Sequence, residues 1–259
     1  METLYATPVW QIGLLLFGLL IAVIQCGHAF GRRAGQGSKD GPGGTYLSVM
    51  GAVLGLLSLL LGFSYSMAAS RYDRHKSLLM HEVNAIGTSY LRSNLLDDAA
   101  GPQMRKLLRD LVEVRVAQHD DRIDPAQEEK DATTEEQLRA KLWKLVTVEV
   151  RRDPHSLSAA QVVQSVNELI DASAARTVYY QNHVPEVILL MLLVVALVSS
   201  LLIGFAFGTS NKRNPIATFV FAMTLTMVVF TLLDLDRPRR GLIRTGQLTM
   251  FSLQNSLEP

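Results

Sequence analysis

Four long runs of apolar residues without a formal charge constrain this chain more than any other feature of its sequence. They cover residues 8–30, 47–69, 187–207 and 216–233, two near each end. The hydrocarbon layer of a bilayer is about 30 Å thick, and a helix needs about 20 apolar residues to cross it. Hydrophobic residues make up 48% of the chain, and their collection into such runs predicts an integral membrane protein.

We therefore predict an all-α membrane protein with four transmembrane helices, two on each side of a helical extramembrane domain. The predicted segments are residues 1–69 with spans one and two, 70–183 as the middle domain, 184–233 with spans three and four, and 234–259 as a C-terminal tail rich in arginine and glycine. Only Glu2 is charged ahead of the first run. The basic region of a cleaved signal is therefore missing, and we expect the first span to be retained.

Amphipathic helices are predicted between the second and third spans. The first follows the charged residues after span two, where Leu79, Val83, Ile86 and Tyr90 recur at steps of three and four and form one helical stripe. A second helix follows the interruption at residues 97–102, and carries several apolar residues between Met104 and Val114.

Two capping-box patterns predict where the next helices begin. Thr133 with Glu136 opens one helix after a polar loop at residues 119–131, and Ser158 with Gln161 opens the next. Residues 153–154 end the first of these helices. We expect the second to continue into span three with a kink near Pro185.

Basic residues near the membrane favour a cytoplasmic middle domain and C-terminus in a bacterial inner membrane. The two short links carry five: Arg32, Arg33, Lys39, Lys212 and Arg213. The other side carries eight: Arg71, Arg74, Lys76, Arg176, Arg237, Arg239, Arg240 and Arg244.

Small residues form a stripe along the second span. The stripe consists of Gly51, Gly55, Ser58, Gly62, Ser66 and Ser70 at steps of four, three, four, four and four. Small residues let membrane helices approach closely, and serine can hydrogen-bond across the contact. The stripe therefore predicts either tight helix packing or the lining of a narrow pore. The two are compatible in an oligomer whose central helices surround an axis.

Charged and polar residues follow the second and fourth spans. Arg71 and Arg74 either anchor span two at the headgroups or form a vestibule that concentrates anions. Three further residues, Asn84, Thr88 and Arg92, form a polar line at steps of four, which is either solvated or faces a partner subunit or an ion path. The acidic residues Asp234 and Asp236 close span four beside Arg237 and are expected to pair with the arginines that follow, Arg239 and Arg240.

No residue pattern supports catalysis, a cofactor or a metal. The single cysteine, Cys26, lies within the first apolar run, and the residues around Lys39 lack the spacing of a phosphate-binding loop. The sequence His119–Asp121 is expected to be solvated surface rather than a metal site. Net charge is +1, so nothing indicates nucleic acid as a partner.

Two stretches resemble the bacterial bestrophin-like membrane family, a family of unknown function. Residues 62–92 read GFSYSMAASRYDRHKSLLMHEVNAIGTSYLR, and residues 233–244 read LDLDRPRRGLIR. The resemblance extends to bestrophins proper, which are pentameric anion channels with four membrane helices, a helical cytosolic domain and a pore lined by the second helix. It implies a homo-oligomer, a pentamer by analogy, in the lipid bilayer with inorganic anions as its cargo. This chain lacks their Pro-Pro-Phe neck and acidic calcium clasp, so calcium gating is not expected.

Two functions follow from these observations. The first is an oligomeric ion channel, for anions, with the second span near the axis. The alternative is a non-conducting membrane scaffold or sensor whose middle domain binds a protein partner. A channel needs the small stripe around an axial opening, whereas a scaffold needs it buried against another helix of the same subunit.

Overall fold

A computed structural model of the chain describes residues 8–34, 43–118, 125–180, 184–210, 214–236 and 247–257, and no strand occurs in these ranges. The helices are α1 (Val9–Ala34), α2 (Gly44–Arg92), α3 (Ala100–Ala117), α4 (Pro125–Arg152), α5 (Leu157–Tyr180), α6 (Glu186–Thr209), α7 (Pro215–Leu235) and α8 (Gln247–Leu257). Four of them, α1, α2, α6 and α7, are long and apolar enough to cross a membrane. The all-α fold with two spans before and two after a helical segment is thereby confirmed.

Helix α2 is a single helix of 49 residues, although the sequence predicted a span followed by a separate helix. The charged residues after the span contain no proline or glycine, so the change from apolar to amphipathic pattern does not break the helix. A 3₁₀ turn, Ser93–Leu95, follows α2. Asp97 then caps α3, because its Oδ1 accepts hydrogen bonds from the backbone N–H groups of Ala99 at 3.1 Å and Ala100 at 2.8 Å.

The two predicted helix starts in the middle domain are wrong. Helix α4 begins at Pro125, within the predicted loop, because proline is favoured in the first helical turn. Thr133 therefore lies inside α4, where its hydroxyl donates to the carbonyl of Glu129 at 2.9 Å. Helix α5 begins at Leu157, and Ser156 rather than Ser158 accepts from the Ala159 N–H at 3.2 Å.

Two predicted helix ends in this region have different outcomes. The predicted end before Asp153 is confirmed, since α4 ends at Arg152. The predicted continuation of α5 into the third span is wrong, because α5 ends at Tyr180 and α6 begins only at Glu186. Val184 and Pro185 are not helical.

The helices form two compact units, and α2 contributes to both. The first unit contains α1, the part of α2 up to Arg71, α6 and α7. Its apolar centre is formed by Leu16, Leu20, Leu57, Ala196, Ala222 and Leu225.

Glycines bring the backbones of α1 and α6 into direct contact within the first unit. A Cβ atom built on Gly27 would lie 2.3 Å from the carbonyl oxygen of Leu201, and one on Gly204 would lie 2.1 Å from that of Ile24. Gly31 and Gly208 are equally close to carbonyl oxygens of the opposite helix, at 2.2 and 2.3 Å. Only glycine fits at these positions, which is the small-residue packing known from membrane helices.

The second unit contains the part of α2 from Tyr72, helices α3, α4 and α5, and also α8. Its core includes Ile86, Met104, Leu108, Leu111, Leu142, Val166, Leu169 and Met250. The C-terminal helix α8 was not predicted. It packs through Met250, Leu253 and Leu257, and the Tyr90 hydroxyl donates to the carbonyl of Leu257 at 3.1 Å.

Candidate functional site

The small-residue stripe of α2 is exposed along its whole length. All six of its residues are exposed in the chain: Gly51, Gly55, Ser58, Gly62, Ser66 and Ser70. A Cβ atom built on any of the three glycines would meet no atom of the described residues within 4 Å. The Ser58 hydroxyl donates to its own helix, at the Leu54 carbonyl at 3.0 Å. The described helices of the same chain therefore leave this face uncovered.

Another face of the same span packs inside the first unit. Leu57, Ser64 and Ala68 are buried, and Leu57 belongs to the apolar centre shared with α1, α6 and α7. Large apolar side chains are also exposed beside the stripe, with Leu59 at 54% and Phe63 at 66%. One face of the span thus packs against its own subunit. The remaining surface is exposed and carries small residues next to large apolar ones.

Arg71 and Arg74, at the end of this span, have different surroundings. Arg71 is half-buried, and its Nε lies 3.3 Å from Oδ1 of Asp236. Arg74 is exposed. Between them in sequence, Asp73 is also exposed. The two arginines predicted as a vestibule therefore do not present equivalent charges.

The acidic residues at the end of α7 are buried. Asp234 lies in the last helical turn, and Asp236 is the C-cap residue of α7. Asp236 also accepts from the backbone N–H of Val184. Arg237 and the predicted partners Arg239 and Arg240 lie outside the described residues.

The predicted polar line on α2 is partly covered. Asn84 is exposed, whereas Thr88 and Arg92 are half-buried. Arg92 donates from Nη1 to the carbonyl of Gln161 at 3.0 Å. The line thus begins in solvent and ends in a contact with α5.

Glu82, two residues before Asn84 of this line, is fully buried. Its Oε1 lies 2.7 Å from Nη2 of Arg115, and its Oε2 accepts from Nη1 of Arg176. The Ser173 hydroxyl donates to Glu82 at 3.0 Å. Glu135 pairs with the same Arg115. We call these five residues, Glu82, Arg115, Glu135, Ser173 and Arg176, the ionic cluster.

The residues of the ionic cluster come from four helices of the second unit: α2, α3, α4 and α5. Burial raises the pKa of Glu82, but the guanidinium groups of Arg115 and Arg176 outweigh burial and hold this pKa below its ordinary value of 4.5. The carboxylate is therefore ionised at neutral pH. Opposite charges on four helices fix how the helices meet, since each charge is satisfied only when its partners are in place.

The sequence carries a signal for the ionic cluster. Each charged member continues the apolar stripe of its own helix by a step of three or four. Glu82 lies between Leu79 and Ile86, and Arg115 follows Leu111. Arg176 follows Ala172 by four residues, and Glu135 precedes Leu138 by three. Charges at core positions on several helices, with opposite signs, indicate a buried cluster.

An aromatic group lies next to the ionic cluster. The buried His75 ring has its centroid 4.8 Å from that of Tyr179 and 4.9 Å from that of Tyr180. The guanidinium carbon of Arg176 lies 5.3 Å from the centroid of the Tyr180 ring, which is cation–π geometry. The histidine in the charged run after span two is thus a packed residue of the second unit.

The described residues contain no group of three or more His, Cys, Asp or Glu side chains arranged to hold a metal ion. The predicted surface at residues 119–121 lies outside the described ranges.

Four membrane helices and a helical extramembrane unit with a buried ionic cluster define a multi-pass, all-helical membrane protein. A family model described as a bestrophin-like domain matches residues 14–247. The chain belongs to the bestrophin-like family, as the two motifs at residues 62–92 and 233–244 indicated. No curated protein matches the sequence.

Solved structures share this fold across nearly the whole chain. A crystal structure of a mutant bacterial bestrophin homolog from Klebsiella pneumoniae matches with a TM-score of 0.72 and 14% identity, covering 97% of this chain and 98% of that chain. A second mutant of a bacterial bestrophin homolog from that organism matches with 0.72 and 14%, covering 94% and 97%. A third structure, phased on zinc, matches with 0.69 and 14%, covering 95% and 94%. At this identity the likeness concerns the fold.

Proposed function

We propose that the chain forms a homo-oligomeric ion channel that conducts anions, with the exposed stripe of α2 around its axis. The observation that carries the proposal is the exposure of this stripe. Membrane helices use small residues where another helix or a narrow path comes close, and no described helix of the same chain covers this face. In this proposal, a second copy of the chain lies against the stripe of α2 and completes the lining of the ion path.

The family supports the same arrangement. The bestrophins that the sequence resembles are pentameric anion channels whose second membrane helix lines the pore, and we propose a pentamer by that analogy. The middle domain and C-terminus are proposed to lie in the cytoplasm of a bacterium, with the spans in its inner membrane. The excess of basic residues near the membrane on that side supports this orientation.

Arg74 is our candidate for the vestibule charge. It is exposed, one helical turn beyond Arg71 on the same helix. An exposed cation at the mouth of a path raises the local anion concentration, and the effect weakens as salt screens it. Arg71 contributes less, because Asp236 balances its charge.

Chloride conductance of the purified full-length oligomer in phosphatidylcholine liposomes tests the proposal. The wild type should conduct chloride in preference to sodium. Arg74→Gln should lower chloride conductance at about 0.1 M salt and much less at about 1 M, where the Debye length falls from about 10 Å to about 3 Å. The matched control is Arg151→Gln, which neutralises an exposed arginine in the last turn of α4 and should leave conductance unchanged.

Two results contradict the proposal in different ways. An oligomer that conducts no ion at any voltage favours the non-conducting scaffold or sensor, whose middle domain binds a protein partner. Cation preference with no response to Arg74→Gln is consistent with a channel. It contradicts anion selectivity and the role of Arg74 as a vestibule charge.

A further inference from the structure

One carboxylate connects the ends of three membrane helices in the first unit. Asp236 follows the last residue of α7 and is 4% exposed. Its two carboxylate oxygens accept from the backbone N–H of Val184 at 3.2 and 3.1 Å. Val184 lies two residues before α6 and is 1% exposed. The end of α7 is thereby held against the start of α6.

The same carboxylate holds the end of the membrane part of α2. Nε of Arg71 lies 3.3 Å from Oδ1 of Asp236, and the Arg71 side chain is 17% exposed. A buried carboxylate requires such donors, because leaving it unpaired in an apolar environment is costly. Asp236 therefore has both a backbone donor and a cationic partner.

We infer that Asp236 is a positioning residue for ion conduction, which withholds the charge of Arg71 from the ion path. The inference rests on the proposed function, since it concerns the path along α2. A pair of opposite charges has a weak field a few ångströms away, whereas a lone unit charge about 8 Å from an anion in water changes its local concentration roughly twofold. With the Asp236 carboxylate next to Arg71, the two opposite charges offset each other, and the exposed Arg74 acts more strongly on anions than Arg71 does. Neutralising Asp236 leaves one more net positive charge beside the path, because the charge of Arg71 is then no longer offset by this carboxylate.

The experiment uses Asp236→Asn in the full-length protein, reconstituted in phosphatidylcholine liposomes under a sodium chloride gradient. Asparagine keeps an oxygen that can accept from the Val184 N–H but removes the charge. Chloride conductance at about 10 mM salt should rise roughly twofold, and the reversal potential should move toward that of chloride. Near 1 M salt, where the Debye length is about 3 Å rather than about 30 Å, the effect should disappear.

Arg71→Gln alone should shift the reversal potential in the opposite direction, because it removes one positive charge from beside the Asp236 carboxylate. The double variant Arg71→Gln/Asp236→Asn should return it to the wild-type value, which a merely structural role of Asp236 does not predict. The double variant removes both charges of the pair, so this comparison also holds if Asp236→Asn alone fails to assemble. The matched control is Asp73→Asn, which removes an exposed carboxylate near the same helix end. We expect it to cause less than half of the shift.

The outcomes separate this inference from the proposed function. If the wild type conducts chloride but the Arg71 and Asp236 variants keep its reversal potential, the inference is overturned and the channel stands. An equal shift from Asp73→Asn and Asp236→Asn also overturns it, since any carboxylate at this helix end would then act alike. If the wild type conducts nothing, the proposed function fails and the inference fails with it.

Discussion

A buried carboxylate stabilises a fold only while its cationic partners remain in place, and Glu82 has two of them. We expect Glu82→Gln to lower the free energy of unfolding by about 3 kcal/mol, because it leaves Arg115 and Arg176 buried with one fewer counter-charge. Thermal unfolding in mild detergent at neutral pH measures this change. The control is Glu136→Gln on α4, an exposed carboxylate, which should change stability by no more than about 0.5 kcal/mol.

The pH dependence of this difference has a definite sign. The folded pKa of Glu82 lies below its ordinary value of 4.5, so the unfolded chain takes up the proton at the higher pH. The Glu82 contribution is therefore fully present above about pH 4.5 and is lost as the pH falls through the folded pKa. The stability gap between wild type and Glu82→Gln should shrink below about pH 4.5. A gap that widens in acid contradicts the charge pairing.

The position of Glu82 shows which part of the site is readable from sequence. The stripe of α2 was found because small residues repeat at helical steps within an apolar run. Glu82 was missed because pattern rules assign a charge to the solvent side, and its partners Arg115 and Arg176 lie far along the chain. The pairing of Arg71 with Asp236 was missed for the same reason.

At the scale of helices, α1 and α6 depend on glycine for their contact. Gly204→Val should reduce the yield of folded protein strongly, because its first side-chain carbon alone would lie 2.1 Å from the carbonyl oxygen of Ile24. Gly18→Val is the matched control on α1, where a Cβ atom meets no described atom within 4 Å. Size-exclusion profiles in mild detergent compare the two, and equal profiles would contradict the close contact.

The positions of the spans were predictable, whereas helix boundaries in the second unit were not. An uncharged apolar run of about 20 residues has few stable states other than a membrane helix. The boundary expected after residue 69 does not exist in α2, because helix propensity continues through the charged residues. Helix α8 was missed because its sequence is short and weakly patterned, and its apolar residues find a core built by other segments.

At the scale of the whole molecule, α8 must lie on the same side of the membrane as α3, α4 and α5. These helices share one apolar core, and the two spans α6 and α7 lie between them in sequence. A reporter active only outside the cytoplasm, fused after Pro259 or inserted near Gln127, should be silent at both sites, because we propose that this side is cytoplasmic. The same reporter within residues 35–42 should be active.

Each result of this fusion experiment has a separate meaning. Activity at both Pro259 and Gln127 reverses the proposed orientation but keeps the shared side. Activity at only one of these two sites contradicts the shared core itself.

The core position of α8 also sets an order of events during biosynthesis. A ribosome synthesises α3, α4 and α5 long before Met250, and α6 and α7 are made in between. The apolar surface that Met250, Leu253 and Leu257 cover in the finished protein therefore stays open until both later spans have left the ribosome. Completion of the extramembrane unit must wait until α8 has been synthesised, so membrane insertion of α6 and α7 precedes it or competes with aggregation of the unfinished unit.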